Sequence, residues 1–237
     1  EDSKIVMQIL HAGRYAYSDK AVGPSSIKSP ISPFTPHALD EEGIQKQIND
    51  IALASERAKS AGYDGVEIMG SEGYLINQFL VTHTNKRNDR WGGSYKNRMR
   101  FPINVVKSVR QAVGSNFIIM YRLSLLDLIP DGSTWEEIVE LAQEIEVSGA
   151  NILNTGIGWH EARIPTIATS VPRRAFSWLA KKLYGNVSIP IIASGGVSSI
   201  SDLRKLKNKC PKLNGVVCGR ALYDKKIKVN EAIRILK

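Results

Sequence analysis

Thr134-Trp-Glu-Glu-Ile-Val-Glu-Leu-Ala-Gln-Glu-Ile-Glu-Val-Ser-Gly-Ala-Asn-Ile-Leu-Asn-Thr155 holds one complete helix-turn-strand unit. Thr134 and Glu137 have capping-box spacing, in which each side chain satisfies a free backbone amide at the start of a helix. Ile138, Leu141 and Ile145 recur at helical spacing and give that helix a single apolar face. Ser148-Gly149 end it, and Asn151 to Thr155 follow at once as a short apolar strand. The turn between helix and strand is therefore only a few residues long.

Working outward, the same unit recurs. Asp40 can cap a helix whose apolar positions Ile44, Ile48, Ile51 and Ala58 share a face. It stops near Gly62, and Tyr63 to Met69 read as a strand. Further strands are expected at Lys4–Leu10, Phe117–Arg122, Ile189–Ala193 and Gly215–Cys218. Helices are expected at Asn97–Ala112, near Arg174–Leu183, and after each of the last two strands. Apolar strands alternating with amphipathic helices imply a parallel sheet covered by helices. Turns before strands are short, whereas loops after strands are long and rich in glycine and polar residues. That asymmetry predicts a (β/α) barrel of the TIM type, whose chemistry sits on the loops following the strands. An open doubly wound sheet would carry a glycine-rich dinucleotide turn after its first strand, and His11-Ala-Gly13-Arg14 is not one. Six units are visible where a closed barrel needs eight. The fold class is thus α/β, a (β/α)8-type barrel without its first two βα units, forming a single domain over 1–237.

Composition agrees with a globular domain, at 43% hydrophobic and 23% charged residues. No stretch is long and apolar enough to span a membrane. The start, Glu1-Asp2-Ser3, has neither the basic nor the apolar part of a signal peptide. It is not Met, which fits a processed chain or a piece of a longer one. Cys210 and Cys218 are too few for a disulfide framework or a four-cysteine metal site, so a reduced, cytoplasmic setting without a metal is expected. The net charge of +9 is concentrated at the end, where 200–237 carry eleven Lys or Arg against three Asp or Glu. A solvated basic face accounts for this run, and a surface for an acidic or phosphate-bearing ligand is the alternative. Nucleic-acid binding gains no support, since no reader motif interleaves basic and aromatic residues.

Residues at the strand ends carry the candidate chemistry. Gln8 lies inside the first strand, where a buried polar group needs a partner. Glu72-Gly-Tyr74 follow the second strand, and Arg122 closes the third. Arg122 could simply pair with Asp127. His160 and Glu161 follow two glycines after the fourth strand, and His160 could be a solvated loop residue. Ser194-Gly195-Gly196 and Gly219-Arg220 follow the last two strands. Glycine-rich turns at this end of a barrel expose amides that bind phosphate, and Arg220 adds a forked cation. A phosphate site is therefore expected there.

Three stretches resemble the Old Yellow Enzyme flavoproteins: Gln8-Ile-Leu-His-Ala-Gly-Arg14, Gly62 to Leu80, and Asn85-Lys-Arg-Asn-Asp-Arg-Trp-Gly-Gly to Arg98. Ile119-Met-Tyr-Arg-Leu-Ser124 and Asn154 to Ala168 are similar to the bacterial-type 2,4-dienoyl-CoA reductase branch. The likeness runs from about Lys4 to about Ser188. It implies an FMN-holding barrel that reduces a C=C bond of an unsaturated acyl thioester or enone, with NAD(P)H as electron donor and a place in fatty acid β-oxidation. Gln8 would meet the flavin pyrimidine edge. Arg122 would stabilise negative charge near flavin N1 and O2. Tyr74 and His160 would be the proton-donating pair for the substrate. His83, Glu161 and Arg163 would line the substrate site, with Ser194, Gly195, Gly196, Gly219 and Arg220 at the cofactor phosphate. His83 replaces an arginine of the family. The family's two preceding βα units, iron–sulfur cysteines and second flavin and nicotinamide domain have no counterpart in this sequence. The partners implied are small molecules and, among macromolecules, a second copy of the chain.

Ile189 to Leu203 and Asn214 to Ile227 look instead like the last quarter-barrel of the phosphoribosyl isomerase of histidine biosynthesis. A seam is expected near Val187–Pro190. The alternatives to the reductase reading are that isomerase and an inactive phosphate-binding barrel fragment.

Overall fold

The computed structural model describes residues 3–163 and 176–236. Chain order is β1 (Val6–Ile9), a 3-10 turn (Gly13–Tyr15), β2 (Val22–Gly23), β3 (His37–Ala38), α1 (Glu41–Ser60) and β4 (Gly65–Gly70). Next come α2 (Leu75–Leu80), α3 (Tyr95–Arg98), α4 (Arg100–Val113), β5 (Ile118–Leu126), α5 (Trp135–Val147) and β6 (Ile152–Ile157). The last third holds α6 (Ser177–Leu183), β7 (Ile191–Ser194), α7 (Ile200–Lys209), β8 (Gly215–Val217), α8 (Arg220–Tyr223) and α9 (Val229–Leu236).

Six strands form one parallel sheet in the order β1-β4-β5-β6-β7-β8, and β2 pairs with β3 apart from it. The sheet is curled into a half-barrel, as expected of a barrel with two units fewer. Its outward side chains meet the helices. Val66, Ile68, Ile119, Tyr121 and Leu153 are fully buried there with Ile44, Ile48, Val105 and Val109. Each such aliphatic side chain contributes about 1.5–3 kcal/mol by leaving water. All six residues of β4, which has a strand on either side, are buried.

Local signals place the helices well. The Asp40 side chain accepts from Gly43 N at 2.7 Å. Both bonds of the Thr134–Glu137 capping box are present. Gly62 and Gly149 take the left-handed backbone that ends α1 and α5, with φ of 92° and 110°.

Tertiary context changes other expectations. The expected strand Lys4–Leu10 is Val6–Ile9, and Gln8 is exposed rather than buried, because β1 is an edge with one neighbour. The loop after β4 contains α2, all six of whose residues are buried. The expected helix Asn97–Ala112 is α3 followed by α4. Arg122 does not close its strand. β5 runs four residues further, with a register shift between Ser124 and Leu126. Arg174 lies outside the described residues, and α6 begins at Ser177.

Val197, Leu203, Leu206, Cys210, Ala221 and Ile227 form a separate small core near the C-terminus. Lys205, Lys207, Lys209, Lys225, Lys226 and Lys228 are exposed, as a solvated basic face requires. No described helix is long and apolar enough to cross a membrane.

Candidate functional site

The parallel sheet carries its candidate chemistry on the loops that follow the strands. Two clusters stand on this rim, joined by Arg122 of β5.

The first cluster is held together by protein partners, although Arg14 Nε is buried without one. Glu72 sits just beyond β4 in left-handed backbone, with φ of 63°, a conformation that costs a non-glycine residue energy and that the surroundings must hold. Its carboxylate pairs with Arg122 Nη2 at 2.7 Å and lies 3.6 Å from His160 Nε2. His160 N also donates to the Glu72 carbonyl at 3.3 Å. The rings of Tyr74 and His160 meet edge to face with centroids 5.0 Å apart. Burial pushes the Tyr74 phenol pKa above its ordinary value, as does the Glu72 charge, while Arg122 opposes them. Tyr74 therefore stays protonated at neutral pH and is able to donate.

The loop carrying His160 is fixed from below. Asp127, 2% exposed, accepts from Trp159 Nε1 at 2.9 Å, Ser124 Oγ at 2.7 Å and Ser133 N at 2.8 Å. It is thus unavailable to Arg122, which pairs with Glu72 instead. The extension of β5 beyond Arg122 creates this arrangement. Gly158 N and Trp159 N donate to the carbonyls of Leu126 and Asp127.

Glu161, the next residue after His160, has a side chain only 5% exposed. Arg14 Nη2 donates to both of its oxygens, at 2.6 and 2.5 Å. Tyr15 Oη donates to Oε2 at 2.8 Å, and His83 Nε2 stands 3.2 Å from Oε1. The expected substrate contacts His83 and Glu161 are therefore brought together, bonded to one another. Arg163 is exposed on the same loop. Sequence reasoning missed Tyr15 as a member of the cluster and Arg14 as the partner of Glu161. The contact shows only in the fold, as a close approach at Gly73, whose φ is 81°. A Cβ there would lie 2.4 Å from Tyr15 Oη and 2.6 Å from Trp159.

The second cluster is open. Arg122 Nη2 reaches Ser194 Oγ at 3.4 Å, the last residue of β7. Gly195 and Gly196 have φ of 96° and 76° and are exposed. Nothing lies within 4 Å of where a Cβ on Gly195 or Gly219 would stand. Gly219 precedes the single turn of α8, and Arg220 is exposed. Arg122 Nε is buried with no protein partner. On the inner face between the clusters, Glu67 accepts from Gln8 Nε2 at 2.6 Å and Asn154 Nδ2 at 2.5 Å.

A family model described as NADH:flavin oxidoreductase / NADH oxidase matches residues 1–224 and so runs through the seam expected near 187–190. The chain is 45% identical over 203 residues to a metal reductase of Desulforamulus reducens, covering 84% of this chain and 30% of that protein. It superposes on a 2-naphthoyl-CoA reductase in complex with 2-naphthoyl-CoA with a TM-score of 0.80 and 30% identity, over 88% of this chain and 34% of that one. An old yellow enzyme homologue from Zymomonas mobilis gives a TM-score of 0.76 over 97% of this chain and 70% of that one. Its 22% identity speaks for the fold alone. The chain spans about a third of the length of the first two.

Proposed function

Because the chain belongs to the NADH:flavin oxidoreductase / NADH oxidase family, we propose that it holds FMN and reduces the C=C bond of a 2,4-dienoyl-CoA-like acyl thioester. The observation that carries this reading is the Tyr74–His160 pair, joined through Glu72 and Arg122 to the open turn at Ser194.

The residues present fit the cofactor. Arg122 keeps a buried donor without a protein partner, and the glycines at 195 and 219 leave space that a bulky anion can enter. Gln8 and Arg122 would hold the isoalloxazine. Ser194, Gly195, Gly196, Gly219 and Arg220 would hold the phosphate, with Arg220 as a forked partner. Bound FMN supplies hydride chemistry, with NAD(P)H as the source of electrons.

The chain's own residues supply the proton and the charge. Tyr74 donates to the substrate carbon that gains negative charge, and His160 beside it replaces the proton. Glu72 keeps His160 turned toward Tyr74. The Arg122 guanidinium stabilises negative charge across the rim. A neighbour solved with an acyl-CoA thioester supports that substrate class. The single-domain reading over 1–237 is part of this proposal.

The test is anaerobic oxidation of the dithionite-reduced, FMN-loaded chain by a 2,4-dienoyl-CoA and by a simple cyclic enone. Faster reaction with the thioester supports the reading. Reaction with neither, by a chain that binds FMN, refutes it.

A further inference from the structure

Glu161 looks placed for a ligand, since it follows His160 directly. Its surroundings say otherwise. Arg14, Tyr15 and His83 reach it from two other loops and occupy both oxygens. The Arg14 side chain is 3% exposed, so the pair is desolvated on both sides. A carboxylate so saturated has no lone pair left for a substrate.

Tyr15 is the group through which this anchor faces the rim. Its ring stands edge to face with three others, at centroid distances of 6.1 Å to Tyr74, 6.1 Å to His160 and 6.4 Å to Trp159. It fills the space that only a glycine at 73 leaves beside it. Burial, and then the Glu161 charge, push its phenol pKa well up, so it remains the donor to Glu161.

We propose that Tyr15, anchored by Glu161, is a positioning residue that fixes the Tyr74–His160 pair. Glu161 then touches no substrate. This rests on the ene-reductase reading for its consequence, though not for its geometry. A tyrosine wedged against both rings sets their angle, and proton transfer depends steeply on that alignment.

The experiment uses Tyr15→Leu, Tyr15→Phe and Glu161→Gln in the full chain, with two readouts. The first is the His160 imidazole resonance, assigned by its loss in His160→Gln. Tyr15→Leu is expected to move it most, with Tyr15→Phe and Glu161→Gln moving it less. The second is turnover of the FMN-loaded protein on a dienoyl-CoA. Tyr15→Leu is expected to lower kcat about tenfold to a hundredfold with KM within about twofold, and Tyr15→Phe to recover part of the loss. An unmoved His160 resonance in Tyr15→Leu and Tyr15→Phe overturns the proposal. A raised KM at constant kcat also overturns it, since that marks a substrate contact. If the unmodified protein binds FMN but turns over neither thioester nor enone, the ene-reductase reading fails instead. The resonance then still decides whether Tyr15 positions His160.

Discussion

The two rim clusters obey the same fold rule and differ in how they are satisfied. Around Glu161 both carboxylate oxygens meet protein partners, with Arg14 Nε alone left buried and unpaired, and Gly73 is hemmed in by Tyr15 and Trp159. Gly195, Gly196, Gly219 and Arg220 are exposed, and the space beside Gly195 and Gly219 is open. Arg122 belongs to both, with one nitrogen on Glu72 and Ser194 and another unpaired. On the proposed reading, the closed cluster orients catalytic groups and the open one receives a ligand.

The contrast is broken most forcefully at the buried ion pair. Arg14→Ala leaves the Glu161 charge buried with only Tyr15 and His83, and should cost about 3–5 kcal/mol in urea unfolding. Arg220→Ala, at the open cluster, should stay within about 0.5 kcal/mol. Equal losses would erase the distinction. For function, His160→Ala and Tyr74→Phe should each slow thioester reduction about a hundredfold while FMN affinity holds within about twofold. Loss of FMN in either would move that residue to the cofactor side. Gly73→Ala sharpens the packing claim. The added methyl collides with Tyr15 and Trp159 in left-handed backbone, and should lower stability by about 1–3 kcal/mol. The matching change, Gly195→Ala, meets only the backbone penalty, about 1 kcal/mol.

Arg220→Ala should weaken FMN about tenfold and riboflavin little, because only FMN carries the phosphate the guanidinium would grip. Equal weakening would mean that Arg220 meets no phosphate. The smallest effect is a pH dependence. Tyr74, Tyr95 and Tyr121 all have phenol pKa values raised above the ordinary 10, chiefly by burial. Raised values mean that the neutral form stabilises the fold below pH 10, and that this stability is lost as pH rises through the folded values. An alkaline absorbance titration should show these phenols ionising late, together with unfolding. Normal titration of all eight tyrosines would contradict the burial.

What the sequence shows plainly is local. Asp40, Thr134 and Glu137 announce their helices because a cap is decided within four residues. Six strands can be counted because each is an apolar run between turn signals. Long-range bonds are hidden. Arg14 and Glu161 lie 147 positions apart, and no spacing rule joins them. Asp127 looks like a partner for Arg122 until the extension of β5 carries it to Trp159. Gln8 looks buried until β1 proves to be an edge. The strand-end positions of Tyr74, His160 and Ser194 were legible from the barrel rule, whereas the wedge at Tyr15 depends on packing that only the fold creates.

The central claim is that the open cluster receives the flavin phosphate, and a titration of the purified chain with FMN and with riboflavin tests it most directly. The expected result is a perturbed visible flavin spectrum, with FMN bound about tenfold tighter than riboflavin. An FMN spectrum unchanged at saturating protein would contradict the account.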